Sequence, residues 1–252
     1  MSIRLVAFDL DDTLADSRAP IAPAMADALK RLLDLVPVAI ISGGHFPQFA
    51  RQILAHLPEG TNLQNLNLLP TCGTRFLRYE DGDWLQVYAH DLTEDEKRRV
   101  TASIRKRAVE LGLWEPDQLV RGERIEDRGS QVTYSALGQQ AKLEDKRAWD
   151  PDGHKRHALR DAVADDVPDL AVAAGGSTSI DVTRQGVDKA YGIRQLSAQT
   201  GIALSEMLFI GDRLEPGGND YPVVQLGVAT IAVVGWRDTL AHVSDLCDRL
   251  EG

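Results

Sequence analysis

The chain has 252 residues, enough for one large domain or two smaller ones. Its 28 basic residues stand against 38 acidic ones, and the net charge of −10 disfavours nucleic acid as a partner, because a phosphate backbone needs a basic face. No apolar run approaches the roughly 20 residues of a membrane span, and Cys72 and Cys247, far apart, form neither a disulfide framework nor a zinc spacing, so a cytoplasmic protein without a membrane partner is expected.

In chain order, residues 4–9 read as a strand and roughly 20–34 as a helix. Residues 36–42 read as a second strand and 46–57 as a second helix. Arg75–Tyr79 and Trp84–Tyr88 flank Glu80-Asp81-Gly82-Asp83 as a hairpin. The middle of the chain then changes pattern. Leu92–Leu111 is a charged helix with Thr93 as cap and Glu96 three residues on. Alternating segments follow near 123–128 and 131–136, and a helix at roughly 152–164 starts from Pro151. Leu170–Ala174 and Ser179–Thr183 pair as strands. Helix, strands, helix, strands is an α+β pattern rather than a parallel wind. Met207–Ile210 and Thr230–Val234 are further core strands, and Asp238–Leu250 is a closing helix. The expected fold is α/β: a Rossmann-like parallel-sheet core at 1–85 and 186–252, with an α+β cap inserted at 86–185.

The apolar run Leu5-Val6-Ala7-Phe8 ends in Asp9-Leu10-Asp11-Asp12-Thr13. Asp and Thr are also good helix N-caps, so this turn gains weight only from matching pieces at later strand ends. In an open parallel sheet, ligands collect at the carboxyl ends of strands. Two clustered carboxylates repel each other unless a cation lies between them, and beside phosphates that cation is usually Mg²⁺. Matching pieces follow. Val38-Ala39-Ile40-Ile41 ends in Ser42-Gly43-Gly44, whose hydroxyl and N–H groups suit a phosphate oxygen. Lys189 falls in the first turn of a helix, where it can neutralise carboxylate and phosphoryl charge together. Met207-Leu208-Phe209-Ile210 opens into Gly211-Asp212-Arg213-Leu214-Glu215-Pro216-Gly217-Gly218-Asn219-Asp220, a glycine-rich acidic loop able to approach a metal.

Taken in this order, the four pieces resemble the haloacid dehalogenase-like superfamily of phosphotransferases. The resemblance implies that Asp9 becomes a phospho-aspartate, while Asp11 protonates the leaving oxygen and then activates water. It implies that Thr13, Ser42 and Gly43 hold phosphoryl oxygens and that Lys189 bridges nucleophile and phosphate. It further implies Mg²⁺ on Asp9, the Asp11 carbonyl and Asp212, supported from outside that ligand set by Asn219 and Asp220. The insertion point matches the C2-type cap of its IIB branch, and such caps close over the core cleft and supply substrate contacts.

Within the superfamily, the cap resembles that of eukaryotic-type phosphomannomutases, and the related bacterial hydrolases share the architecture. The matching stretches are Arg121-Gly122-Glu123-Arg124-Ile125-Glu126-Asp127-Arg128, Ser135-Ala136-Leu137-Gly138, Gly175-Gly176-Ser177-Thr178-Ser179-Ile180-Asp181-Val182 and Gly186-Val187-Asp188-Lys189. By that resemblance Ser179 and Asp181 bind sugar hydroxyls, Arg18, Arg121 and Arg128 contact substrate phosphate or the closed cleft, and two copies pair through the cap. In the mutases an arginine follows the glycine that is Gly138 here, and a second comes soon after. Gln139 takes the first place, and Lys142 or Lys146 the second. Arginine's planar fork has no equal in glutamine or lysine. The expected activity is therefore Mg²⁺-dependent hydrolysis of a small, sugar-like phosphate monoester through an aspartyl-phosphate, with a phosphohexomutase as the alternative. Gln139 is kept among the substrate-facing residues. Cys72 reads as a small buried thiol with nothing nearby to activate it.

Overall fold

The computed structural model describes residues 3–252. The chain divides into two compact units, Met1–Ala89 with Asp188–Gly252, and His90–Val187. The class is the expected one: a parallel α/β core interrupted by a unit with its own antiparallel sheet.

The first unit opens with β1 (Leu5–Asp9), α1 (Pro23–Leu35), β2 (Val38–Ile41), α2 (Phe46–Gln52), β3 (Leu66–Leu69) and the hairpin β4 (Arg75–Glu80) and β5 (Asp83–Ala89). In the second unit come α3 (Glu94–Glu110), β6 (Ile125–Asp127), β7 (Gln131–Ser135), α4 (Leu143–Trp149), α5 (His154–Asp166), β8 (Leu170–Ala174) and β9 (Ser179–Arg184). The first unit resumes with α6 (Lys189–Thr200), β10 (Met207–Gly211), α7 (Tyr221–Gln225), β11 (Ala229–Ala232) and α8 (Trp236–Glu251).

The core sheet runs β11-β10-β1-β2-β3-β4-β5. The pairs from β11 to β3 are parallel, and β4 and β5 close one edge antiparallel. Both faces are covered. Val6, Phe8, Val38 and Ile40 pack with Met25, Leu29 and Leu32 of α1 and with Val243 and Leu246 of α8. Leu5, Ala7, Ala39 and Ile41 pack with Ile193 and Leu196 of α6 and Val223 of α7. Burial on both sides is why these strands read as unbroken apolar runs instead of alternating ones.

The sheet of the second unit runs β6-β7-β9-β8, antiparallel throughout. Val132, Tyr134, Ile180 and Val182 pack against Val100, Ile104 and Ala108 of α3 and Leu159 and Val163 of α5. The intervening residues, among them Thr133 and Asp181, take the opposite face. Thr93 and Glu96 form a reciprocal capping box at the start of α3. Asp166 ties α5 to α3: its carboxylate accepts from Arg107 Nε at 2.9 Å and Nη2 at 2.5 Å, and from Ser103 Oγ at 2.8 Å. The Arg107 contact holds Asp166 down at about 2. A depressed carboxylate stabilises the fold above its unfolded value and loses that contribution as pH falls through the folded one. Arg107→Met is therefore expected to lower the urea midpoint at about pH 6 by more than at about pH 2.5, where the part of the difference due to Asp166 ionisation has shrunk. Urea titrations of both proteins at the two pH values check this.

Several boundaries differ from those read in the sequence. Residues 86–89 stay in the core because β5 continues to Ala89 opposite Arg75. The helix expected from residue 46 to 57 ends at Gln52, and a short 3₁₀ turn at Leu54–His56 follows. Pro151 does not start α5. Gly153 caps that helix in a left-handed conformation, and Asp150 accepts from the N–H groups of Lys155 and Arg156 at 3.1 Å each. The helices α4 and α7, of 7 and 5 residues, are too short to show a helical period in the sequence. Among the described residues no helix is long and apolar enough to cross a membrane.

Candidate active site

Asp9 is the last residue of β1, Ser42 follows β2, and Asp212 follows β10. These strands are parallel neighbours, with Asp9 in register with Ile41 and Phe8 with Ile210. The three side chains therefore leave the same edge of the sheet. Lys189 begins α6, whose N-terminus is capped by Asp188 Oδ1 accepting from Tyr191 N at 2.8 Å. Lys189 Nζ lies 2.6 Å from Asp9 Oδ1 and 2.5 Å from Asp220 Oδ1. Asp9, Lys189 and Asp220 are 4%, 1% and 0% exposed. Carboxylate oxygens of Asp9, Asp212 and Asp220 lie within 4.8 Å of one another. Thr13, fully buried, donates to Asp212 Oδ1 at 3.5 Å, the outer limit for such a bond.

Burial pushes Asp9 up to about 8; the Lys189 charge opposes the shift and Asp220 adds to it. Burial and then Asp220 also raise Asp212. Burial alone would lower Lys189, but Asp9 and Asp220 hold it above its ordinary value, so it stays charged. Three acids thus share one ammonium, too little positive charge for all three to ionise together. The cluster is short of positive charge, and a divalent cation is the group that would balance it. Asp220 has both oxygens engaged, Oδ1 by Lys189 and Oδ2 by Arg213 N at 3.1 Å. That leaves Asp9 and Asp212 as the acids best placed to hold such an ion. Asn219 is exposed on the same loop.

The turn after β1 is strained at two positions. Asp12 has φ 59 and Arg18 has φ 60. Asp12 Oδ1 accepts from Ser17 N at 3.1 Å, a local bond that supports an acid in this left-handed conformation. Asp11 Oδ1 accepts from Arg18 N at 2.7 Å and from Gln52 Nε2 at 3.2 Å, and its Oδ2 accepts from Gln48 Nε2 at 2.9 Å. Gln48 and Gln52 escaped the sequence reading. Their one signal is a pair of polar residues at helical spacing beside Phe49 and Ile53.

Ser42 Oγ accepts from Gly44 N at 3.0 Å. The loop is held from beneath by Thr71 N donating to Gly44 O and Cys72 N donating to Ser42 O, each at 2.9 Å. Gly43 has open space where a side chain would stand. The Thr71–Gly73 turn in turn packs backbone to backbone on α6, since a Cβ at Gly192 would meet Cys72 O at 2.7 Å. This contact fixes the turn of α6 that carries Lys189. Cys72 is half-buried and left-handed, with φ 55.

In the second unit, Asp181 Oδ1 accepts from Thr133 Oγ1 at 2.7 Å and Gln131 Nε2 at 2.9 Å, and Ser179 stands two residues away on the same face. Arg128 pairs with Glu126 through Nε at 2.8 Å and Nη2 at 2.7 Å. Arg121 turns back on its own loop, donating to Gln118 O at 2.7 Å and Val120 O at 3.1 Å. Lys146, rather than Lys142, is the cation at Gln139: its Nζ donates to Gln139 O at 3.1 Å, whereas Lys142 reaches Glu144 at 3.7 Å.

An aspartate-bearing strand tip, a lysine across from it and an acidic loop on the neighbouring strand define a haloacid dehalogenase-type phosphotransferase. A family model described as eukaryotic phosphomannomutase matches residues 25–249, and the chain belongs to that family. The family match begins after Asp9–Thr13, and the site geometry is what joins that turn to Lys189 and Asp212. A phosphomannomutase of Schizosaccharomyces pombe is 25% identical over 250 residues, covering 96% of this chain and 93% of the relative. Among solved structures, an IMP-bound, N-terminally truncated IMP-nucleotidase of Plasmodium falciparum shares the fold with a TM-score of 0.67 at 14% identity, over 98% of this chain and 68% of that one. A haloacid dehalogenase-like hydrolase of Bacteroides thetaiotaomicron matches with a TM-score of 0.65 at 14% identity, over 97% and 100%. The names of the sequence relatives favour the mutase alternative over the plain hydrolase expected above.

Proposed function

We propose that this chain is a cytoplasmic phosphotransferase of phosphorylated sugars that works as a phosphohexomutase. What carries the reading is the buried Asp9–Lys189–Asp220 chain beside Asp212, in a protein matched to the mutase family from residue 25 to 249. In the first half-reaction an Asp9 oxygen attacks phosphorus, the bond to the sugar oxygen breaks, and Asp11 gives that oxygen a proton. In the second, a sugar hydroxyl attacks the aspartyl-phosphate, the bond to Asp9 breaks, and the hydroxyl proton passes to Asp11. Lys189 offsets the charge of Asp9 and of the phosphoryl oxygens. Thr13, Ser42 and Gly43 would hold those oxygens, and Ser179 and Asp181 the sugar hydroxyls, with Arg18, Arg121 and Arg128 as further contacts. A Mg²⁺ held by Asp9, Asp212 and the Asp11 carbonyl would supply positive charge to the transferring group. The partner is thus a small phosphorylated metabolite, and a second copy pairing through the inserted unit is the expected assembly.

A second reading, hydrolysis, is favoured by one observation. Gln139 stands where the mutases carry a phosphate-gripping arginine, and Lys146 binds its carbonyl. Water then replaces the sugar hydroxyl in the second half-reaction. Phosphorus NMR of the protein with hexose 1-phosphate, Mg²⁺ and a trace of hexose bisphosphate separates the two. A mutase yields hexose 6-phosphate; a hydrolase yields inorganic phosphate and no isomer. EDTA is expected to stop either reaction, and turnover that survives EDTA would defeat both readings.

A further inference from the structure

We infer that Gln48 and Gln52 are positioning residues that clamp the Asp11 carboxylate, and that Gly44 is small to make room for the clamp. The inference rests on the role given to Asp11 above. Both residues lie on α2 one turn apart, so their side chains leave the same helix face. They are 8% and 3% exposed. Gln48 Nε2 donates to one Asp11 oxygen at 2.9 Å and Gln52 Nε2 to the other at 3.2 Å, while Arg18 N donates at 2.7 Å. Three N–H donors from two segments thus fix both oxygens and hence the plane of the carboxylate. Asp11 must deliver its proton along one direction, so the plane matters more than the contact energy.

Two details argue against a purely structural pair. Gln52 Oε1 is buried and has no donor among the described residues. A buried acceptor without a protein donor contributes nothing to packing that an apolar side chain of similar size would lack. Gln52 is therefore placed for its Nε2, which serves Asp11 and also Ala19 O at 3.0 Å. The second detail is Gly44, whose φ lies outside the left-handed region, so its backbone tolerates a side chain. A Cβ there would run into the Gln48 amide, with Oε1 closest and Cδ at 2.6 Å. Alanine at position 44 displaces the amide while keeping the residue that carries it.

The test separates chemistry from packing through the leaving group. Hexose 6-phosphate loses an alkoxide and needs a proton from Asp11; p-nitrophenyl phosphate loses a stable phenolate and does not. Single-turnover rates of leaving-group release are measured on both esters for Gln48→Leu, Gln52→Leu, Gly44→Ala and Asp11→Asn. For Asp11→Asn the sugar phosphate is expected to slow by about 10²–10⁴-fold and the aryl ester by less than about 10-fold. The two glutamine variants and Gly44→Ala should show the same skew, with a loss on the sugar phosphate about 10-fold or more greater than any loss on the aryl ester. Equal losses on both esters in the glutamine and Gly44 variants, with the skew kept in Asp11→Asn, would overturn the clamp and leave the role of Asp11 standing. Absence of the skew in Asp11→Asn would overturn that role, and the clamp with it. Gly44→Ala, which removes no buried group, keeps the test decisive if either leucine variant fails to fold.

Discussion

Asp9→Asn is expected to lower kcat/KM on a hexose phosphate by about 10⁴-fold or more, the scale seen when a covalent nucleophile is removed. The amide keeps the shape of the carboxylate and leaves α6 and β10 where they are. It does not attack phosphorus, and it offers Lys189 a neutral oxygen in place of a charged one. Asp9 ends a strand whose register to β2 and β10 is fixed by fully buried neighbours, so no nearby acid can move into its place. The neighbouring acids are Asp212, which leaves the tip of β10, and Asp220, whose oxygens are already engaged by Lys189 and Arg213 N. Steady-state kinetics on wild type and variant check the prediction. Retained turnover would remove Asp9 from the reaction.

Lys189→Met should cost the first unit about 3–5 kcal/mol of stability as well as its activity. Lys189 is 1% exposed and sits between Asp9 and Asp220, each within 2.6 Å or closer. Taking the ammonium away leaves the buried acids Asp9 and Asp220 without their counter-charge, so one must take up a proton or stay charged at a cost, which is the expensive way to break a buried pair. The double variant Lys189→Met with Asp220→Asn should recover part of the loss, because one of the two orphaned charges is gone. Urea unfolding of the three proteins measures it. An unchanged midpoint in Lys189→Met would mean that the lysine is not the charge that holds this cluster together.

Much of the site could be read before the fold because its residues punctuate apolar runs. Asp9 and Asp212 follow strand-like stretches, Ser42 follows another, and parallel pairing alone brings those ends together. Lys189 was legible for a related reason, since it opens a helix after a polar connection. The rest depended on tertiary approach. Gln48 and Gln52 are ordinary helix residues in the sequence, and only the packing of α2 on the turn after β1 makes them partners of Asp11. The choice between Lys142 and Lys146 required α4, a seven-residue helix too short and polar to show a period. Spacing also could not show that Arg128 is paired by Glu126 two residues earlier, or that Arg121 folds back on its own loop. Pro151 misled because a proline near a helix start is a common signal, and here Gly153 and Asp150 do the capping.

The most direct measurement is to quench the protein with acid during turnover of a hexose phosphate in Mg²⁺ and to locate the phosphoryl group by peptide mass spectrometry. A phosphoryl group on the peptide that holds Asp9, absent from Asp9→Asn, is the predicted result. Turnover with the label on another residue, or with no covalent label at any quench time, would contradict an aspartyl-phosphate at this strand tip.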